Sequence, residues 1–585
     1  VWNGVLKDSR IQGNRAQIHG GGLYRGTAEH CVIAGNSACY GGGACDGSLI
    51  RCVVMDNRAA SSGGGVIGSS LGTCVVAGNF ASLGGGANDS DLAHCTVVGN
   101  SANKGGGTYG GFVRNSIVYD NKANSGSNYQ SCTISGTCTA PLPSGAGNIS
   151  EMPQLVSLSH LASNSPCIGA GTTTVSEIDF DGDAWMNPPS MGCDEPTSGS
   201  CTGNMSVGIL ADFTNTTPGR MLSFYADIGG KPTASEWHWE DGSTTSNQPC
   251  VMRAFAANGD YPVQLVAYND DNEIGISTTI TVHVSEQVTN FVDASSATPS
   301  FPYRSWETAA ASIQEAIEAV DQAGAMVLVK DGIYSTGEKV VYGPTPNRVA
   351  IDKPITVQSL NGPERTKILA PGSGRCVYAG NATTLSGFTL AQGSVPSFAG
   401  DEAEIQGGGI WCEETACVTN CLVIGNFARI GGGAYGGTLD NCTIASNGAQ
   451  FGGGAYRCMM SQCRLIGNTA DEAGGGASVS RLDHCEIFDN RAVSHSGGGV
   501  EYSSLTRCLL KNNSANYDGG GGYKSDMTNC TMIGNCAKAG GGSSEGQLAG
   551  CLIVSNSARF CGGGTSGGML RNCTIIGNFA YLGGG

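Results

Sequence analysis

The chain is short of charge and of aromatic rings: of its 585 residues, 14% are charged and 7% aromatic. Large rings therefore cannot fill the interior, and the core has to be built from small and aliphatic side chains. A basic surplus is also missing. The formal net charge is −17, which opposes sequence-independent attraction to DNA, RNA or anionic lipid. No run approaches the ~18 apolar residues of a membrane helix, so neither a nucleic-acid partner nor a membrane span is expected. The C-x2-C pairs of zinc ribbons are absent as well. What is abundant is glycine, 93 residues, and cysteine, 26. The glycines do not follow the every-third-residue rule of collagen. The length is too great for one compact core, which points to several domains or one elongated array.

The abundant residues recur in phase. Cysteines stand at 31, 52, 74 and 95, with Ser116 following in the same phase, and again at 421, 442, 463, 485, 508, 530, 551 and 573. Each copy reads roughly L-x-x-C-x-[IVL]-x-x-N-x-A, then a short stretch, then GGG. A period of 21 to 23 residues is too short for helix-pair repeats, which need about 33. Within a copy, Cys442 and Ile444 alternate with Thr443, which is strand periodicity, and Asn and Gly supply turns. The reading is one coil of a parallel β-helix per copy, with three short strands, stacked at about 4.8 Å. The asparagines at 36, 57, 79, 100 and 121, and those from 426 to 578, then form two columns of amides bonding from coil to coil. The Ala two residues later marks an inward site with room for one methyl. The GGG runs mark a corner that needs positive φ. Stacking also makes Arg464 and Glu486, which are 22 residues apart, lateral neighbours on an outward face.

This pattern resembles the right-handed parallel β-helix, pectate-lyase-like repeat proteins of bacterial secreted and surface type. The resemblance covers about residues 1–195 and 290–585. A looser resemblance, carried by IGNTADEAGGGA from Ile466 to Ala477, is to the repeats of polymorphic outer-membrane adhesins, which prefer Phe where this chain has Ile, Val or Leu. Between the arrays, SEWHWEDGSTTS and NGDYPVQLVAYND resemble a PKD-type, immunoglobulin-like β-sandwich through Trp239, Asp241, Gly242, Gly259, Tyr261, Val263 and Leu265. The family's F-G-D before the turn is replaced here by Trp239-Glu240-Asp241.

From Phe291, FVDASS, SWETAAASIQEAIEAVDQAG and AMVLVKDGIYS resemble the N-terminal cap of pectate-lyase-like proteins. The spacing predicts a helix over Ala309–Gln322, capped by Ser305 or Thr308, with Ile313, Ile317 and Val320 on its inner face. The expected organisation is all-β. Residues 1–200 are the C-terminal part of a first β-helix with its closing segment, and 204–285 are a PKD-like sandwich. Residues 290–585 are the N-terminal part of a second β-helix, with the helical cap at about 305–322. Both ends fall inside a coil, so a longer tandem protein is expected.

Chemistry is sparse in the repeats. The cysteine columns read as buried apolar fillers, while Cys132 with Cys138 and Cys412 with Cys417 are the better disulfide candidates. The densest carboxylate cluster, Asp179, Asp181 and Asp183, offers three hard oxygen ligands at alternate positions and suggests calcium. It is no EF-hand: the sixth loop position is Ala184 and the twelfth Ser190. A polysaccharide lyase would need a Lys or Arg base beside such groups. Asp56, Asp120 and Asp489, Arg51 and Arg507, and His30, His94 and His484 share phases but not adjacent coils, so no catalytic set is assigned. Phe80, Phe427 and Phe579 also share a phase. The expected function is an exported or cell-surface stalk that binds polysaccharide or cell-surface glycans, with adhesion as its use. The alternatives are a polysaccharide lyase or glycoside hydrolase on the same fold, and a purely structural spacer.

Overall fold

The computed structural model describes residues 1–172, 178–196, 201–341, 345–370, 372–395 and 405–585. The chain forms two compact units, Val1–Glu286 and Gln287–Gly585. Each contains a β-solenoid of parallel strands, and the first also carries a β-sandwich.

In the first unit one coil shows the plan. Thr27–Glu29, Val32–Ala34, Ser37–Tyr40 and Ala44–Cys45 each pair in parallel with their counterparts one coil on. Ala28 lies beside Leu49, Ile33 beside Val54, and Ala44 beside Val66. A coil thus has four strands rather than the expected three. The fourth is only two residues long, too short to show alternation in the sequence. Its inward residues, together with the ladder cysteines and the Val, Ile and Leu two positions on, make a continuous apolar core. Ala38, Ala59 and Ala81 are fully buried, as expected for a site that admits one methyl.

The triple glycines divide their work. The first is left-handed, as in Gly41 at φ +64. The next two have no room for a side chain. A Cβ on Gly42 would lie 2.4 Å from the Arg58 carbonyl oxygen and 2.5 Å from that of Gly64, and one on Gly43 would lie 2.6 Å from that of Gly65. Backbone of the next coil occupies the space, so one glycine supplies conformation and two supply close approach. The residues before the ladder cysteines are corners too: His30, Arg51, His94, His484 and Arg507 all have φ near 50. Their shared phase reflects turn geometry.

The amide columns are continuous. Asn36 donates from both its backbone N–H and its Nδ2 to Asn57 Oδ1, at 2.9 and 3.0 Å, and Nδ2 also reaches the Ile11 carbonyl at 2.8 Å. In the first unit the column ends on Asn128, only seven residues past Asn121, whose Oδ1 accepts the same two bonds. Of the 26 cysteines 19 are buried, including every ladder cysteine but Cys573, and all 26 are free thiols. The pairs Cys132–Cys138 and Cys412–Cys417 are therefore not bridged. Cys138 donates to the Glu151 carbonyl.

The second unit opens with the strand Thr289–Val292, and α1 (Ile313–Glu318) follows, shorter than the predicted helix and starting later. Its N-cap is Ser312, not Ser305 or Thr308, because Ser312 and Glu315 form a capping box. Ile313, Ile317 and Val320 are buried as expected, Val320 just beyond the helix. Sheets of 12, 11, 11 and 7 strands follow. Arg464 and Glu486 are register partners, with Nε 2.9 Å from Oε2 on an exposed face.

Candidate functional site

Two places in the chain gather chemistry. The first lies in the residues after the last coil of the first unit. The predicted set Asp179, Asp181 and Asp183 does not converge there. Asp179 is fully buried and serves the backbone: Oδ1 accepts the N–H groups of Asp181 and Asp183, at 3.0 and 2.7 Å, and Oδ2 accepts that of Glu195 at 2.9 Å. Asp183 pairs with Lys231 of the sandwich at 2.6 Å. Asp181 turns to His160, with Oδ2 2.9 Å from Nε2. His160 and Asp194 came with no sequence signal, since neither lies in a repeat phase.

Both are buried beside a cavity of about 340 Å³. Ser157 Oγ accepts the N–H groups of Ser159 and His160, so its own hydrogen is left for His160 Nδ1 at 2.7 Å, and Nε2–H faces Asp181. Burial disfavours the His160 imidazolium, but the hydrogen bond to Asp181 and the nearby carboxylates outweigh it and raise its pKa. Burial pushes the Asp194 carboxyl up to about 7.

The second place is an outward column on the second solenoid. Val377, Ile410, Ala434 and Ala455 point into the core, so their neighbours Tyr378, Trp411, Tyr435 and Tyr456 face out. The four rings stack coil upon coil, with centroids 5.3, 6.4 and 5.8 Å apart. Tyr378, Trp411 and Tyr435 are buried, and exposure begins at Tyr456. There the column meets an open groove of about 420 Å³ that runs over Arg457, Arg481, Tyr502 and Lys524. Arg457 lies over Tyr456 at 5.8 Å and reaches the Tyr435 hydroxyl at 3.2 Å. Lys524 lies between Tyr502 and Tyr523, 5.7 and 5.1 Å from their centroids, and its pKa is raised, chiefly by Tyr523. The sequence did hold a signal for this column: Trp411, Tyr435 and Tyr456 are each the second residue after a triple glycine, and Tyr523 directly follows a run of four. By contrast, Phe427 and Phe579 stand exposed in separate coils.

The sandwich beside the first solenoid packs a three-stranded sheet (Ser206–Ala211, Met221–Gly229, Cys250–Ala254) and a five-stranded one around Phe224, Trp237 and Trp239. Residues 213–284 match the PKD domain family model. In this PKD domain Asp241 holds its turn by accepting the Ser243 N–H and pairing with Arg253. No curated protein matches the chain. Several solved structures are similar to it. Pectate lyase Pel9A is 14% identical over 48% of this chain and 70% of its own, with a TM-score of 0.27. A rhamnogalacturonan lyase is 12% identical over 49% and 84%, with a TM-score of 0.29. The A-module of the Azotobacter vinelandii mannuronan C-5 epimerase AlgE4 is 12% identical over 46% and 92%, with a TM-score of 0.26.

Proposed function

We propose that this is an exported or cell-surface protein whose tandem solenoids, spaced by the PKD domain, carry a polysaccharide-binding face on the second solenoid. The observation that carries this reading is the outward ring column that ends on Tyr456, beside Arg457 at the edge of the groove lined by Arg457, Tyr502 and Lys524. Sugar rings present apolar C–H faces that stack on aromatic side chains, and the rings within reach of a polymer are Tyr456, where the column becomes exposed, and Tyr502 in the groove. Arg457, Arg481 and Lys524 outnumber the one carboxylate, Asp526, in the groove's lining, on a chain of net charge −17. This favours carboxylated or sulfated polymers over neutral ones. Adhesion through an extended stalk is the use we assign to it. The PKD-domain match supports the extracellular setting.

The test is binding of the whole chain to a panel of neutral and acidic polysaccharides. One acidic polymer should bind. Tyr502→Asn, which suits the left-handed φ of 45 at that corner, combined with Lys524→Ala, should weaken it at least tenfold, about 1.4 kcal/mol. Binding that ignores both changes, or no binding by any polymer, would contradict the reading.

A further inference from the structure

The geometry points to a divalent transition-metal site of the zinc class in the first unit, built from His160 Nε2 and the carboxylates of Asp181 and Asp194. The three donor atoms lie within 4.8 Å of one another at the wall of the cavity. A tetrahedral ion with bonds of about 2.1 Å holds its ligands about 3.4 Å apart. The His160–Asp181 contact, a hydrogen bond of 2.9 Å, needs to open by only about 0.5 Å to reach that separation.

The donor set decides the class of ion. One imidazole nitrogen with two carboxylates suits zinc and its neighbours, whereas calcium takes oxygen ligands throughout. Three protein ligands leave the remaining position facing the cavity, as an open zinc site does.

An independent observation points the same way. Asp194 is 6% exposed, yet its carboxylate makes a single hydrogen bond among the described residues, accepted at Oδ2 from the Leu161 N–H at 2.8 Å. Asp194 lines the cavity, so its carboxylate can serve as a ligand there. Lys231, which also lines this cavity, is taken by Asp183.

The surroundings hold the ligands as metal sites require. Ser157 and Ser159 fix the His160 ring through Nδ1, at 2.7 and 2.9 Å. Asp179 ties together both ligand-bearing stretches through its bonds to the Asp181 and Glu195 N–H groups. Of the three carboxylates chosen from sequence, Asp181 is thus a ligand of the proposed site, Asp179 positions the ligands and Asp183 pairs with Lys231.

The experiment is a titration of the metal-free full chain with cobalt and then zinc, followed by absorption and by melting. One cobalt per chain should bind with weak d–d bands and no thiolate charge-transfer band, and zinc should displace it and raise the melting temperature. His160→Ala and Asp194→Asn should each weaken binding at least tenfold. Because Asp194 is buried and its variant could fail to fold, Asp181→Asn, on an exposed residue, is the second variant and should also weaken binding tenfold. The proposal falls if no saturable cobalt or zinc binding occurs, or if a thiolate band places the ion on a cysteine such as Cys201. It also falls if Asp181→Asn binds like the parent, or if calcium binds more tightly than zinc.

Discussion

At the scale of the residue, the columns make neighbours of residues 21 to 23 positions apart, and each column sets its own chemistry. Asn468 shows how much one amide carries. Its Oδ1 accepts the Asn447 backbone N–H and Nδ2, both at 3.0 Å, and its Nδ2 donates to Ile444 and Asn490. Asn468→Ala would leave several buried groups unpaired, at about 1–3 kcal/mol each. It should lower the urea midpoint far more than Asn578→Ala at the partly exposed last coil, and equal effects would show that the ladder does not act as a ladder. The cysteines differ in reactivity for a related reason. Cys485 is pushed up to about 12, first by its hydrogen bond with Cys463, and Cys508 likewise by Cys485. Near pH 8 these thiols stay protonated and buried, while Cys536 is exposed. A thiol reagent on the folded chain should modify Cys536 first and spare Cys442, Cys463, Cys485 and Cys508 until unfolding. This resistance would let so many free thiols persist in the oxidising setting that the proposed function implies.

At the scale of the element, the cap is the sharpest test. Ile317 is fully buried on the inner side of α1. Ile317→Asp should cost about 3–5 kcal/mol of the second unit's stability, read as a lost early step in melting followed by hydrogen exchange. An unchanged melt would mean that α1 does not close the solenoid. This element was legible because Ile313, Ile317 and Val320 keep helical spacing. Its start was misplaced because Ser305 and Thr308 offer the same cap chemistry as Ser312, and only the pairing with Glu315 selects among them. The three-residue strands were legible from Cys-x-Ile alternation. The two-residue strands after each GGG were not, and with them the outward ring column was missed. The candidate cation site was half legible: Asp181 stands in a dense carboxylate run, but His160 and Asp194 reach it through the non-repeating closing segment, where no period predicts neighbours.

At the scale of the whole molecule, a solenoid converts a sequence period into a surface period, and the proposed function depends on that conversion. The most direct measurement is a crystal structure of the chain with an oligosaccharide from the best-binding polymer. The account predicts Tyr435 and Tyr456 on adjacent coils and sugar density lying along Tyr456, Tyr502 and Lys524. A register that separates Tyr435 from Tyr456, or ordered sugar on any other face, would contradict it.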